Sequence, residues 1–280
     1  MSSLQAIILA IVQGITELFP ISSLGHAVIL PALLGWKNVD ENSPGFLPFL
    51  VVMHLGTAIA LLVYFWRDWF DFGMAVVVRQ GPSADRERRL FLQVLLATVP
   101  AVLIGGLLEH KLKEIFGSPM LAAGFLVVNG VMLFVAERAK KSTAGTKPLS
   151  RLSWIDALVI GCWQCLALIP GLSRSGATMT GGYLTGLKHE DAARFSFLTA
   201  TPIILAATAF EMPKILKGGA GMASFSGVAL LSGLVAGVVA FISVAALMRW
   251  FRDHEAKAFD PFAIYCVVAG LGALAYIKLA

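Results

Sequence analysis

Charged residues are scarce in this chain of 280 residues, of which 14% are Asp, Glu, Lys or Arg and 58% are hydrophobic. A soluble domain of this length carries about a quarter charged residues, so the composition excludes an ordinary soluble protein. The mean hydropathy of +0.80 instead indicates an integral membrane protein with several spans.

Cysteine is also rare, with three residues in the chain. Cys162 and Cys165 form a C-x-x-C pattern, which in other contexts indicates redox or metal chemistry. They lie in an apolar segment, and no second Cys or His pair stands at ligand spacing. We therefore interpret them as small packing residues.

Motifs for nucleic-acid binding are missing too, although the net charge is +5. The basic residues lie in short loops between apolar segments, and no zinc-finger, helix-turn-helix or RNA-binding pattern accompanies them, so we predict no nucleic-acid partner. Positively charged cytoplasmic loops explain this placement. If loops 67–90, 138–153, 188–194 and 249–258 are cytoplasmic, most of the 22 Lys and Arg residues lie inside, and both termini are predicted outside.

Long apolar segments are abundant, and six of them are long enough to span a bilayer. Two further apolar regions, from Leu4 to Trp36 and from Trp154 to Leu187, are interrupted by polar residues. Non-helical backbone persists at membrane depth only where protein buries it or a wet cavity solvates it, so we predict two re-entrant helical hairpins. The predicted spans are about 46–66, 91–108, 119–137, 194–211, 225–248 and 260–279.

Each half of the chain then holds one hairpin and three spans, which gives the halves opposite orientations. An ungapped alignment of the hairpins matches Gln13 with Gln164, Ser22 with Ser173, and Gly25 with Gly176. We predict an all-α polytopic membrane protein built as an inverted repeat, with residues 1–138 and 154–280 joined by a cytoplasmic linker at 139–153. Such folds place their sites near the midplane, where the broken helices meet.

The first hairpin carries groups suited to phosphate chemistry. Gln13 and Glu17 are four residues apart and share a helix face. The next helix begins at Ser22 and Ser23, so their hydroxyls and the free backbone N–H groups face the break, as at phosphate-binding helix N-termini. His26 lies one turn further along.

The second hairpin carries Arg174, a permanent charge within the apolar stretch from Trp154 to Leu187. A charge at membrane depth costs at least ~2.5–3.5 kcal/mol, so a partner is required. No carboxylate lies within a helical turn of it, and we expect a bound anion there rather than an ion pair. Ser173, Ser175 and Thr178 surround it at another predicted helix start.

If the two breaks meet, one pocket holds a carboxylate, several hydroxyls and a guanidinium. This set suits phosphoryl transfer, because the carboxylate can accept a serine proton and the arginine can bind two phosphate oxygens. Structural alternatives are the serines as helix N-caps, Glu17 as a neutral buried carboxyl, and His26 and His54 as core histidines. A lipid flippase or anion transporter uses similar architecture, but binding an anion needs no base.

Several motifs of the chain are similar to those of a known family. They are Gln13-x-x-x-Glu17, Pro20-Ile21-Ser22-Ser23-Leu24-Gly25-His26, Pro170-Gly171-Leu172-Ser173-Arg174-Ser175-Gly176-Ala177-Thr178, Ala192-Ala193-Arg194-Phe195-Ser196-Phe197-Leu198 and Pro261-Phe262-Ala263-Ile264-Tyr265. Together they resemble the bacterial undecaprenyl pyrophosphate phosphatase family, also called bacitracin-resistance proteins. The resemblance covers nearly the whole chain.

The resemblance implies an inner-membrane phosphatase that converts undecaprenyl pyrophosphate to the monophosphate and phosphate, which recycles the lipid carrier for peptidoglycan synthesis. It implies that Ser23 is the nucleophile, Glu17 its base or orienter, and Arg174 the pyrophosphate clamp. His26 would assist, or would itself be the nucleophile. The remaining predicted pyrophosphate-binding residues are Gln13, Ser22, Ser173, Ser175 and Thr178.

The resemblance also implies Mg²⁺ or Ca²⁺, no organic cofactor, and competition with bacitracin for the lipid. Because the first predicted hairpin opens outward, we expect the site to be open to the outer face. Two positions differ from the family pattern. Gln13 stands where many members have Glu, which leaves Glu17 with Gln13 as the available metal ligands. A hard cation takes several oxygen ligands, so pyrophosphate would have to supply most of them. Leu24 stands where many members have Thr.

Overall fold

The computed structural model describes residues 1–36, 39, 46–139, 146–217 and 227–279. Within them the fold is helical, apart from one isolated bridge between Lys147 and Leu187. Short 3-10 turns lie at Leu149–Arg151 and Cys165–Leu168. The helices are α1 (Ser3–Thr16), α2 (Ser23–Leu33), α3 (Phe46–Tyr64), α4 (Trp66–Val77), α5 (Pro82–Phe116), α6 (Pro119–Arg138), α7 (Trp154–Gln164), α8 (Arg174–Leu184), α9 (His189–Lys217), α10 (Gly227–Asp253) and α11 (Asp260–Leu279).

Five helices in the described part of the chain are long and apolar enough to cross a bilayer, namely α5, α6, α9, α10 and α11. A sixth span is formed if α3 and α4, which are bent by 74° relative to each other, are counted as one. Large apolar side chains such as Leu107, Leu234 and Val268 are exposed, as expected for a surface that faces lipid. The prediction of a polytopic all-α membrane protein is confirmed.

Two predicted loops are wrong. Residues 67–90 contain α4 and the start of α5, and most of 109–118 belongs to α5 as well. Hydropathy identifies the apolar part of a helix but not the charged turns that extend it, and here ion pairs between Arg79 and Asp71 and between Arg88 and Asp85 stabilise those turns. The predicted loops at 36–45 and 212–224, the linker 139–153 and the start of the span 225–248 lie partly outside the described residues.

Both interrupted regions consist of two short helices separated by a break, with Pro20 in the first break and Pro170 in the second. Proline has no N–H group and cannot continue a helix ladder. After each break a serine caps the next helix: Ser22 Oγ and Ser173 Oγ accept the backbone N–H three residues further on, at 3.2 and 3.1 Å. The two serines that the ungapped alignment matches therefore have the same local role, since each caps the helix that follows its break.

Many helix termini meet at one end of the molecule, which we call the ion-paired end. Lys147 contacts both termini of the α7–α8 pair there, because its ammonium binds Asp156 at the start of α7 and its backbone N–H donates to Gly186 O, just after α8, at 2.9 Å. Further contacts at this end join Arg89 to the Leu152 carbonyl, Arg138 to Asp260, Arg194 to Asp68, and Arg252 to Glu190. The four predicted cytoplasmic segments therefore share one end.

The largest buried apolar cluster fixes α8 against its neighbours. It includes Tyr183 of α8, Phe195 and Phe197 of α9, and Phe251 of α10, all nearly inaccessible to solvent. Aromatic side chains bury a large apolar area, and in a protein interior they are packed about as densely as in crystals of small organic molecules. The start of α8, where Arg174 lies, is therefore held on a rigid base.

Candidate active site

The two helix breaks touch each other. Ser175 Oγ donates to the Phe19 carbonyl at 3.0 Å, although these residues are 156 positions apart. Asn129 of α6 bridges the breaks, since its Nδ2 donates to Pro20 O at 2.8 Å and its Oδ1 accepts from Ser173 N at 3.1 Å. These contacts confirm the prediction that the two breaks lie together.

The backbone at both breaks adopts conformations that few residues tolerate. Ser22 has φ +70°, and a non-glycine residue held there costs about 1–3 kcal/mol, a strain that clusters at functional sites. Gly171 has φ +97°, and a Cβ at this position would lie 2.3 Å from the Ala122 carbonyl oxygen of α6. Only glycine therefore allows the second break to approach α6 this closely.

Glu17 is the centre of the polar cluster, and it is buried at 6% exposure. Its Oε1 accepts from Arg174 Nη2 at 3.1 Å. Its Oε2 accepts from Ser23 Oγ at 2.6 Å and from Gln13 Nε2 at 3.1 Å, and His54 Nε2 lies 3.3 Å from the same oxygen. One carboxylate thus contacts a hydroxyl, an amide, an imidazole and a guanidinium.

Arg174 is ion-paired with Glu17, so the expectation that it has no ion pair is wrong, while a bound anion beside it stays a prediction. The partner lies far outside one helical turn, because Glu17 precedes Arg174 by 157 residues. Nη1 of Arg174 also donates to the Ser196 carbonyl at 3.2 Å. Nε is buried and has no hydrogen-bond partner among the described residues. An unpaired buried N–H is costly, so this edge of the guanidinium is available for an additional anion.

Hydroxyl groups from α8 and α9 line the second break. Ser173 Oγ lies 3.0 Å from Ser175 Oγ, and Thr178 Oγ1 lies 2.5 Å from Ser196 Oγ. All four residues are buried. In the first break Gln13 Oε1 is also buried without a partner within the described chain. The structure therefore brings the predicted phosphate-binding side chains into one region, while their roles stay predictions.

The side chain of His26 makes its hydrogen bonds outside the Glu17 cluster. Its Nδ1 lies 2.7 Å from the Ser22 carbonyl, which can only accept, so Nδ1 carries the hydrogen. Its Nε2 then accepts from the Tyr265 hydroxyl at 2.8 Å, and the two rings stack with centroids 5.7 Å apart. Both ring nitrogens of His26 thus have partners outside the Glu17 cluster, whereas Ser23 Oγ contacts the Glu17 carboxylate directly.

Four residues near the site were not identified from the sequence: His54, Asn129, Ser196 and Tyr265. His54 was interpreted as a core histidine, and its ring contacts Glu17 of the polar cluster. Ser196 and Tyr265 lie within motifs that carried the family resemblance. His54 and Asn129 are polar side chains in the middle of apolar helices, and that rare placement is itself a signal of function.

The described residues offer few ligands of their own for the Mg²⁺ or Ca²⁺ that the resemblance implies. They contain no group of three or more His, Cys, Asp or Glu that could hold a metal ion. Both oxygens of Glu17 face hydrogen-bond donors, including the Arg174 guanidinium. Mg²⁺ is often held by one or two carboxylates together with water and substrate phosphates, so a cation at Glu17 would depend on the diphosphate, and this cofactor stays a prediction.

Comparison with known proteins gives consistent matches over the whole chain. Residues 6–272 match the family model of bacitracin resistance protein BacA. Undecaprenyl-diphosphatase of Granulibacter bethesdensis is 51% identical, and the match covers 100% of this chain and 98% of the relative. Undecaprenyl-diphosphatase of Acidiphilium cryptum is 50% identical, and the match covers 96% of this chain and 96% of the relative. Undecaprenyl-diphosphatase of Gluconobacter oxydans is 51% identical, and the match covers 100% of both chains.

Proposed function

The chain belongs to the bacitracin resistance protein BacA family, and we propose that it hydrolyses undecaprenyl diphosphate to undecaprenyl phosphate and inorganic phosphate. One observation carries this proposal: the buried Glu17 accepts the Ser23 hydroxyl at 2.6 Å and pairs with Arg174 at 3.1 Å. A base, an alcohol and a fixed cation in contact are the groups that phosphoryl transfer to serine requires. The product returns a lipid carrier to peptidoglycan synthesis, and its recycling confers resistance to bacitracin, which binds the substrate.

In the first step Ser23 Oγ attacks the terminal phosphorus while its proton passes to Glu17 Oε2. The bond between that phosphorus and the bridging oxygen breaks, and undecaprenyl phosphate leaves with the electron pair. Arg174 binds the non-bridging oxygens through its unpaired Nε and an Nη group, and thereby stabilises the charge of the transition state.

In the second step water attacks the phosphoserine. The proton held by Glu17 returns to Ser23 Oγ as its bond to phosphorus breaks, and the water protons remain on the released phosphate and its surroundings. The enzyme is thereby restored with a charged Glu17 beside a free Ser23 hydroxyl. Both half-reactions use one carboxylate, first as base and then as acid.

The remaining predicted residues hold the diphosphate in place. The N-termini of α2 and α8 present backbone N–H groups to its oxygens. Hydrogen bonds from the second break come from Ser173, Ser175 and Thr178, and Gln13 and Ser22 complete the set in the first break. His26 acts indirectly, because its Nδ1–H donates to the strained Ser22 carbonyl and so fixes the start of α2.

No step above passes through a metal ion. A divalent cation that takes part would take most of its oxygen ligands from the diphosphate, because Glu17 is already surrounded by donors.

The membrane placement that we propose has two inverted repeats, with α1–α2 and α7–α8 as re-entrant hairpins whose breaks lie near the midplane. The contact of Lys147 with both termini of the α7–α8 pair supports a hairpin that returns to its starting side. The basic segments at the ion-paired end support a cytoplasmic location for that end. The site then opens to the outer face of a bacterial inner membrane, and both termini lie outside.

The proposal is tested with the purified full-length protein in detergent, supplied with undecaprenyl diphosphate and assayed for released phosphate. We expect steady release by the wild type and a loss of about 10³-fold or more in kcat for Ser23→Ala, because Ser23 is the one alcohol of the described residues in hydrogen-bond contact with Glu17. Binding of the lipid without phosphate release by the wild type would contradict the proposal. An active Ser23→Ala variant would remove Ser23 as the nucleophile.

A further inference from the structure

His54 lies in the middle of α3 and its ring is held by two contacts. Its Nδ1 lies 2.8 Å from the Leu50 carbonyl, and its Nε2 lies 3.3 Å from Glu17 Oε2. A carbonyl oxygen can only accept, so Nδ1 carries a hydrogen. The Nε2 edge of the ring therefore faces Glu17 Oε2, the oxygen that also accepts from Ser23 Oγ.

The register of α3 fixes this ring in place. Two residues beyond His54, a Cβ on Gly56 would lie 2.0 Å from the Gly233 carbonyl oxygen of α10, so the backbones of α3 and α10 are in direct contact. Thr57 Oγ1 donates to the His54 carbonyl at 2.8 Å. A helix packed this closely cannot rotate or slide without a clash. The contact with Glu17 is therefore a fixed feature of the bundle.

The side chain of His54 is more exposed to solvent than that of Glu17, with exposed fractions of 27% and 6%. We infer that His54 is a positioning residue for the reaction: through its Nε2 edge, 3.3 Å from Glu17 Oε2, it holds the carboxylate with Oε2 towards Ser23. This inference rests on the proposed function. His54 thereby joins Arg174 and Gln13 in fixing Glu17 beside the hydroxyl that acts as the nucleophile in the proposed reaction.

The test compares two variants of similar size in the purified full-length protein with undecaprenyl diphosphate. Glutamine places an N–H donor close to the position of His54 Nε2, and asparagine is too short to reach Glu17. We expect His54→Asn to lower kcat about 10- to 100-fold, as for loss of a hydrogen bond to a charged group, with KM nearly unchanged. His54→Gln keeps a polar N–H group at this position, and we expect it to restore a substantial part of kcat.

His189 provides the matched control, because its Nε2 lies 3.1 Å from the buried Glu137 at the ion-paired end. We expect His189→Asn and His189→Gln to leave kcat per folded molecule close to the wild type. Should His54→Asn fail to fold, His54→Met, which fills a similar volume without an N–H group, takes its place in the comparison.

The inference is overturned if the asparagine or methionine variant keeps the wild-type kcat, or if glutamine is no better than the shorter side chain. Loss of activity that only follows the folded fraction also overturns it. These results are distinct from failure of the proposed function, in which the wild type itself releases no phosphate.

Discussion

Two buried glutamates, each in contact with a histidine, occupy different regions of this protein. Glu17 lies 3.3 Å from His54 at the helix breaks, and Glu137 lies 3.1 Å from His189 at the ion-paired end. Glu137 also accepts two backbone N–H groups from the turn before α11, at 2.8 and 3.1 Å. The partners of Glu17 are all side chains, and one of them is a hydroxyl at 2.6 Å.

The difference shows why a similar pair serves distinct purposes. Backbone donors fix Glu137 and complete the hydrogen bonding at the start of α11, and its partners among the described residues include no hydroxyl or guanidinium. The ring of His189 is further enclosed by Tyr183, with centroids 4.3 Å apart. At Glu17 an alcohol and a guanidinium share the carboxylate, and the proposed function uses both groups. If that proposal holds, the identity of the partners, rather than burial, separates the role of Glu17 from that of Glu137.

The largest effect is expected from Glu17→Gln, which removes the base that accepts the Ser23 proton. We expect kcat per folded molecule to fall about 10²–10⁴-fold, the usual contribution of a general base. The thermal unfolding midpoint should fall as well, because the buried Arg174 loses its charged partner. Phosphate release and thermal unfolding in detergent measure both effects. A Glu17→Gln enzyme that retains near wild-type turnover would show that Glu17 resembles Glu137 after all.

A smaller loss is expected from Arg174→Lys, which retains the charge but removes the planar fork and its unpaired Nε. We expect kcat/KM to fall about 10²–10³-fold, as when one donor to the transition state is lost. A steady-state series over substrate concentration separates binding from turnover. Near-normal phosphate release by this variant would exclude the clamp role.

The smallest effect on activity is expected from Glu137→Gln, which replaces the acceptor of two backbone N–H groups by a side chain with one carbonyl oxygen. We expect the free energy of unfolding to fall by about 1–3 kcal/mol, because a buried donor is left without a partner. Thermal unfolding compared with the wild type measures this change. Turnover per folded molecule should be unchanged, and a large loss of kcat in well-folded protein would remove the contrast with Glu17.

Local patterns in the sequence were sufficient for much of this fold. Hydropathy placed the span at 119–137 within a residue of α6, and that at 260–279 coincides with α11. Ser22 and Ser173 were predictable as helix starts because an N-cap acts within three residues of itself. Charged segments such as α4 were missed, since their stability comes from ion pairs and packing rather than from apolar length.

Pairings between distant elements were beyond such patterns. Gln13 and Glu17 could be placed on one helix face, but the contact of Glu17 with Arg174 joins residues 157 positions apart. His54 and Asn129 acquire their partners only through the packing of α3 and α6 against the breaks. Nothing in the chain near these residues indicates which distant carbonyl or carboxylate they will meet. The catalytic and binding roles of the gathered residues stay predictions.

The hydrogen bonds of the Asn129 amide can form only after the segments that they join have been synthesised. Its bond to Pro20 joins residues 109 positions apart, and its bond to Ser173 joins residues 44 positions apart. Contacts of such long range form late, after both segments have left the ribosome. Until then the carbonyls of the first break lack their partners, a costly condition within hydrocarbon. A chain that ends before Asn129 would therefore hold an amino-terminal hairpin without the partner of its Pro20 carbonyl, which makes it a ready target for membrane proteases.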